Sequence, residues 1–416
     1  MNVRGAGHGV EGGAGAPTLV ILPAGNGGGP QAVGPGTILL GLPVLGRTVL
    51  AAARAGFGRI CILTPDPGEA QGLVRGAPAT VHPLGEPLPS LPAGRLVVLG
   101  GQVLPSAGWL RTLLEMPLGS GQVYCEGDAA AVIDAGDAPG ALAAIPHASR
   151  VPDVVAGLGR GVSVANGSAD PQGRVPLAGP GDLRAAEGWL LRGLIKESEG
   201  FMSRHVERRI SLAISRRLVS TPVGPNLMTA VCVGVGLLGA PCFLSLRPAW
   251  QLTGALLFLF HSILDGCDGE LARLRHQESR WGGLFDFWGD NVVHVAVFLC
   301  MGLGWSRAVG AAWPLALGAA AAAGTVGAAA YITQHTMLAR PAEGPLFTWA
   351  LRSRGPRRAA LVEALSNRDF IYLVVLLAAF GKVTWFLALA AVGTPIYFGL
   401  LVWAGRSESL REREAP

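Results

Sequence analysis

Four aspartates define the chemistry of this sequence. Residues 265–273 read DGCDGELAR, and after eight intervening residues come Gly282, Asp286 and Asp290. The pattern is D-x2-D-G-x2-A-R-x8-G-x3-D-x3-D, with eight fixed positions within 26. Asp265 and Asp268 are three apart and share one helix face; Asp286 and Asp290 are four apart and share another. All four lie at the ends of apolar stretches, where an ionised side chain is expensive. A short turn between two helices lets those faces oppose each other. Four carboxylates gathered in one place need positive charge among them. Hard divalent cations with oxygen ligands meet that need, and Mg2+ or Mn2+ suits a phosphate substrate. Gly269 and Ala272 leave a shallow patch where a bulky ligand can approach. Arg273 offers a fixed fork of donors for phosphate oxygens. An ion-pair network that only holds the fold, or the ion path of a transporter, would draw on the same residue types. A transporter is expected to show broken helices or repeat symmetry, and no convincing internal repeat is found.

The elements that must carry these residues are apolar. The chain has 416 residues, 50% hydrophobic and only 15% charged, with 61 Gly and 30 Pro. Disordered chains are polar and highly charged, and soluble proteins average about 25% charged residues, so both classes fit poorly. The apolar excess lies in the second half. Six segments, about 226–246, 249–267, 283–305, 309–333, 370–386 and 387–404, approach the roughly 20 residues that cross a bilayer. The fourth, rich in Gly and Ala, suits close helix packing. Arginines alternate across the connections. Arg204, Arg208, Arg209, Arg216 and Arg217 precede the first segment, Arg273, Arg275 and Arg280 follow the second, and Arg340 to Arg368 follow the fourth. The intervening connections hold only Arg247, Arg307 and Lys382. The positive-inside rule then predicts six spans with both termini and the aspartates on the cytoplasmic side of the cell (inner) membrane. The N-terminus has no apolar stretch of the secretory type. The net charge of +5 is carried by arginines around the apolar half. A membrane surface or phosphate ligands fit that placement better than nucleic acid. The six cysteines form no CxxC pair and read as small buried hydrophobes. His261 and His294, within the second and third spans, read as polar packing residues.

Residues 265–290 carry every fixed position of the CDP-alcohol phosphotransferase motif, and the sequence resembles that family over about 200–404. SRHVERRISLAISRRLVSTPVGPNLMT is similar to the family's amphipathic helix before the first span, and Pro225-Asn226 with Thr229 to its entry into that span. The resemblance implies a six-helix membrane enzyme in which an acceptor hydroxyl attacks the β-phosphorus of a CDP-alcohol and CMP leaves. It implies two metal ions held by Asp265, Asp268, Asp286 and Asp290, with Asp290 also taking the acceptor proton. Asn226, Thr229, Gly269, Ala272, Arg273 and Gly282 would line the cytidine-diphosphate pocket. A homodimer is likewise implied. Arg208, Arg217 and Arg368 are the expected contacts to an acceptor phosphate, the acceptor being a lipid or a polyol phosphate. The commoner roles of such arginines are topology and attraction to lipid headgroups.

The first half reads as an α/β domain. TLVIL (18–22), RICIL (59–63), LVVLG (96–100), QVYCEG and AAVID are expected strands; GLPVLGRTVLAAARAG and AGWLRTLLEM are expected helices. Strand, Gly-rich loop and helix in alternation predict a Rossmann-like sheet with a nucleotide-type crevice. The order resembles a nucleotidyltransferase domain, with PAGNGGG standing at its phosphate loop. Glycines 27–29 replace the loop's Arg, no Lys occurs before Lys196, and Gly101 stands where a metal-binding Asp is expected. The domain therefore reads as a relic kept for folding, regulation or ligand sensing. Fusion of the two domains resembles the two-function enzymes that make CDP-inositol and then a di-inositol phosphodiester, so a live cytidylyltransferase is the alternative. The expected layout is a Gly-rich disordered tail (1–16), the α/β domain (17–180), a linker with an amphipathic helix (181–222), the six-helix domain (223–404) and a charged tail (405–416).

Overall fold

The structure is a computed structural model that describes residues 15–23, 33–89, 94–119, 121–134, 143–157, 163–167, 169–195, 202–338 and 370–414. It divides into two compact units, 1–192 and 193–416.

The first unit is built on short apolar runs that pair into one sheet. Its strands are β1 (Thr18–Ile21), β4 (Arg59–Thr64), β5 (Thr80–Pro83), β6 (Arg95–Leu99), β8 (Gln122–Glu126), β9 (Ala130–Asp134) and β10 (Ser163–Asn166), in the order β10-β8-β9-β6-β1-β4-β5. Small pairs β2 (Ile38–Leu39) with β3 (Leu42–Pro43), and β7 (Val103–Pro105) with β11 (Arg174–Pro176), stand apart. β1 lies parallel between β4 and β6, whereas β9 runs antiparallel to both β6 and β8. The sheet is thus mixed rather than wholly parallel. β1 is buried on both faces, which explains its unbroken apolar sequence. Leu19 and Ile21 face α1 (Val44–Ala55) and α3 (Ala107–Glu115), while Val20 and Leu22 join the cluster of α4 (Val151–Ala156). This is the period-two alternation of a strand between two helical layers. The short helix α2 (Pro67–Leu73) follows β4. Helix α5 (Pro180–Arg192) buries Ala186 with Leu104 and Leu177, and Trp189 Nε1 donates to the Gln172 carbonyl at 2.8 Å. Residues 181–192, expected in the linker, therefore belong to this unit. The Gly-rich loop 24–29 lies outside the described residues.

The second unit is helical: α6 (Arg208–Leu218), α7 (Pro225–Gly239), α8 (Pro248–Leu274), α9 (Arg280–Val309), α10 (Trp313–Ile332), α11 (Phe370–Ala379) and α12 (Val383–Glu414). Among the described residues, four stretches are long and apolar enough to cross a membrane: Pro225–Leu244, Arg280–Val309, Trp313–His335 and Val383–Trp403. Helix α8 has 27 residues but is diluted by Gln251, His261, Asp265 and Asp268, all buried inside the unit. Helix α11 has only 10 residues. The expected boundary near 386/387 falls earlier, at Gly381-Lys382. Gly381 takes the left-handed φ of +64°, and the Lys382 amide donates back to Leu377 at 2.7 Å, closing α11. Helix α12 also runs past 404 through most of the expected charged tail.

Small residues let these helices approach closely. A Cβ at Gly302 would stand 2.9 Å from the Pro314 carbonyl, and one at Gly324 would stand 2.6 Å from Pro395 N. Thr394 Oγ1 donates to the Ala321 carbonyl at 2.9 Å across the same α10–α12 contact. The Gly/Ala-rich fourth segment is thus a packing surface within the chain.

Candidate metal centre

Helices α8 and α9 carry the aspartates, and the turn 275–279 joins them. His276 adopts a positive φ of 53°, and Ser279 Oγ accepts from the Gly282 amide at 3.0 Å as the cap of α9. The reversal brings the two acidic faces together. Asp265, Asp286 and Asp290 each offer a ligand atom, and these atoms lie within 4.8 Å of one another. Asp268 and Asp265 both lie near Asp286. Asp265 and Asp268 are 7% and 4% exposed. Carboxylates this close and this dry repel unless a shared positive charge lies among them.

The residues fit a divalent cation. All the ligand atoms are carboxylate oxygens, the donor class that hard cations select. Asp286 Oδ1 is buried and has no hydrogen-bond partner, an orphan that a cation would satisfy.

Neighbouring helices fix the ligands. Thr229 of α7 is 3% exposed and donates its hydroxyl to Asp268 Oδ2. Asn226, one turn earlier, lies beside Gly282: a Cβ there would stand 3.2 Å from Asn226 Oδ1. The Arg273 guanidinium lies over Gly269, where an added Cβ would meet Nη1 at 3.3 Å. The motif's small residues therefore border its polar ones: Asn226 lies by Gly282, Arg273 by Gly269, and Thr229 meets Asp268. Ala272 is half-buried on the same turn of α8 as Arg273.

The three arginines expected at an acceptor phosphate fare differently. Arg208 Nη1 donates to Glu270 Oε1 at 2.7 Å, so that guanidinium is engaged with a carboxylate of α8. Arg217 is exposed on α6. Arg368 lies outside the described residues.

Three features were not legible as functional. Glu270, fully buried, also accepts from Ser211 Oγ at 2.7 Å and Ser215 Oγ at 2.6 Å. The signal was a carboxylate inside the motif and Arg208, Ser211 and Ser215 at helical spacing on α6. Arg275, expected to serve topology, donates to the carbonyls of Leu218, Val219, Thr221 and Val223 and ties the turn after α6 to the end of α8. His261 Nε2 lies 3.4 Å from Asp290 Oδ1. His294, in contrast, bonds the Asp290 carbonyl and sits among Phe258, Phe298 and Phe370, as a packing residue does.

Residues 223–405 match the family model described as CDP-alcohol phosphatidyltransferase. The C-terminal half is a CDP-alcohol phosphatidyltransferase domain. Proteins called "Bifunctional IPC transferase and DIPP synthase" are similar to this chain. That of Thermococcus kodakarensis is 41% identical over 115 residues, 27% of this chain and 26% of that protein. That of Rubrobacter xylanophilus is 38% identical over 144 residues, 34% and 32% of the two chains. The chain thus spans about a third or less of the curated relatives it matches. Among solved structures, phosphatidylinositol phosphate synthase of Mycobacterium tuberculosis with CDP-DAG bound is 22% identical. It covers 47% of this chain and 94% of its own, with a TM-score of 0.32. Within the CDP-alcohol phosphatidyltransferase domain, α7, α8 and α9 supply every described residue of the carboxylate cluster and its rim.

Proposed function

We propose that this chain is an integral membrane CDP-alcohol phosphotransferase. It would join the hydroxyl of an acceptor alcohol to the β-phosphorus of a CDP-alcohol, forming a phosphodiester and releasing CMP. The observation that carries this reading is the meeting of Asp265, Asp286 and Asp290 within 4.8 Å, inside the matched domain.

Asp265, Asp268, Asp286 and Asp290 would hold two Mg2+ or Mn2+ ions, which when bound supply positive charge to the diphosphate and its CMP leaving group. The chain's own groups do the rest. Thr229 holds Asp268 in one orientation by its hydroxyl hydrogen bond. Asn226, Gly269, Ala272 and Gly282 shape the cytidine-diphosphate pocket, and Arg273 binds phosphate oxygens. Asp290, 15% exposed, retains access to water and takes the proton of the attacking hydroxyl. Arg217 and Arg368 are the remaining anchors for an anionic acceptor, either a lipid or a polyol phosphate.

In this reading α8 and α11 join the four longer apolar stretches as spans of a six-helix domain. Both termini and the aspartates face the cytoplasm, lipids surround the helices, and two copies pair as a homodimer. The test is CMP release by the full chain in nanodiscs against a panel of lipid and soluble CDP-alcohols. No release from any donor, with Mg2+ and Mn2+ supplied, would refute it.

A second reading keeps the soluble unit active as a cytidylyltransferase that makes the donor. The names of the similar proteins and the seven-stranded α/β sheet favour it. The glycines at 27–29 and Gly101 oppose it, because a triphosphate there lacks charge compensation. CTP-dependent pyrophosphate release by the full chain, given inositol phosphate, decides between them.

A further inference from the structure

His261 is absorbed by neither the motif nor the pocket, yet it is 2% exposed and faces the centre. Its Nε2 lies 3.4 Å from Asp290 Oδ1. On the other side, Nδ1 lies 3.0 Å from both the Cys232 thiol and the Cys232 carbonyl on α7. The ring is clamped. It stacks on Phe258 with planes 13° apart, and Gly236 leaves the room it fills, since a Cβ there would come within 3.1 Å of His261 Cγ. A lone pair on Nε2 would point at a carboxylate oxygen, so Nε2 carries the hydrogen. The neutral ring achieves this when Nδ1 accepts the Cys232 thiol hydrogen; the protonated ring achieves it when Nδ1 donates to the Cys232 carbonyl.

We infer that His261 is a positioning residue for Asp290: held by Cys232, it donates from Nε2 to Oδ1 and so fixes which oxygen of Asp290 faces the carboxylate cluster. The inference rests on the proposed role of Asp290. The 3.4 Å contact is long for a hydrogen bond. Partners that orient a metal-holding carboxylate govern affinity as well as rate, and their loss costs roughly 10- to 100-fold.

The experiment is Mn2+ titration of the full chain in detergent, followed by electron paramagnetic resonance, alongside CMP release. His261→Leu is expected to weaken Mn2+ binding about tenfold, and to lower kcat with the donor KM within about threefold. His261→Gln, whose amide reaches the place of Nε2, is expected to restore most of the affinity, while the shorter His261→Asn does not. Wild-type affinity in folded His261→Leu overturns the inference. Equal affinities in His261→Gln and His261→Asn overturn it too, and that comparison stands if His261→Leu does not fold. If wild-type protein binds Mn2+ and these variants weaken it while no CMP is released from any donor, the phosphotransfer reading falls and the positioning role stands.

Discussion

Ser215 donates its hydroxyl to Glu270 Oε2 at 2.6 Å, joining α6 to the middle of the aspartate motif. Ser211 and Arg208 complete the set on Oε1. Glu270 is fully buried, and Gly266 of the same helix admits Arg208, whose Nη1 would be 3.0 Å from an added Cβ. Removing one partner of a buried pair strands the other, which costs about 3–5 kcal/mol. Glu270→Ala is therefore expected to lower the melting temperature in detergent strongly. Glu270→Gln, which keeps an acceptor for the hydroxyls, should lower it less. Melting of Glu270→Gln as low as that of Glu270→Ala would show that a neutral acceptor does nothing to hold α6.

Asp290→Asn keeps the shape of the side chain and removes its charge. CMP release should be abolished with folding retained, and Asp268→Ala should weaken Mn2+ binding as well. EDTA should stop wild-type turnover, and added Mg2+ or Mn2+ should restore it. Turnover that persists in EDTA would remove the metal from the mechanism.

Thr229 acts on Asp268 through one hydroxyl. Thr229→Val keeps the volume and loses the donor, so CMP release should fall by about tenfold or more. Thr229→Ser should stay near wild type. Steady-state rates of the two variants, compared with their elution on size exclusion, separate loss of orientation from loss of fold.

Gly236 lets α7 meet α9: an added Cβ would stand 2.5 Å from Val293 Cγ1. Overpacking of this kind costs about 1–3 kcal/mol. Gly236→Ala should therefore melt earlier and, by displacing His261, bind Mn2+ more weakly. A melt unchanged from wild type would mean that Val293 can yield at no cost.

Arg275 spreads its guanidinium over four carbonyls between Leu218 and Val223. A lysine has no planar fork and reaches fewer of them. Arg275→Lys is expected to speed proteolysis within 218–225. Each carbonyl left buried without a donor costs roughly 1–3 kcal/mol.

Which residues share a face and which stretches are apolar can be read from the order of residues alone. The spacing of Asp265 and Asp268, and of Asp286 and Asp290, follows helical periodicity, and a turn with a cap residue between them was enough to oppose the two pairs. The strands around β1 were legible because a doubly buried strand is a short, unbroken apolar run. Span edges were less so: the break at Gly381-Lys382 depends on a left-handed residue and a back-bond to Leu377, while hydropathy runs on through it. The partners emerge from the packing of helices against one another. Glu270 lies far along the chain from Ser211 and Ser215, and His261 from Cys232 and Asp290. No periodic pattern connects positions on different helices. Whether a buried polar side chain serves the fold or the chemistry depends on which helix packs against it, and that is settled when glycines such as Gly236 and Gly266 let backbones close together.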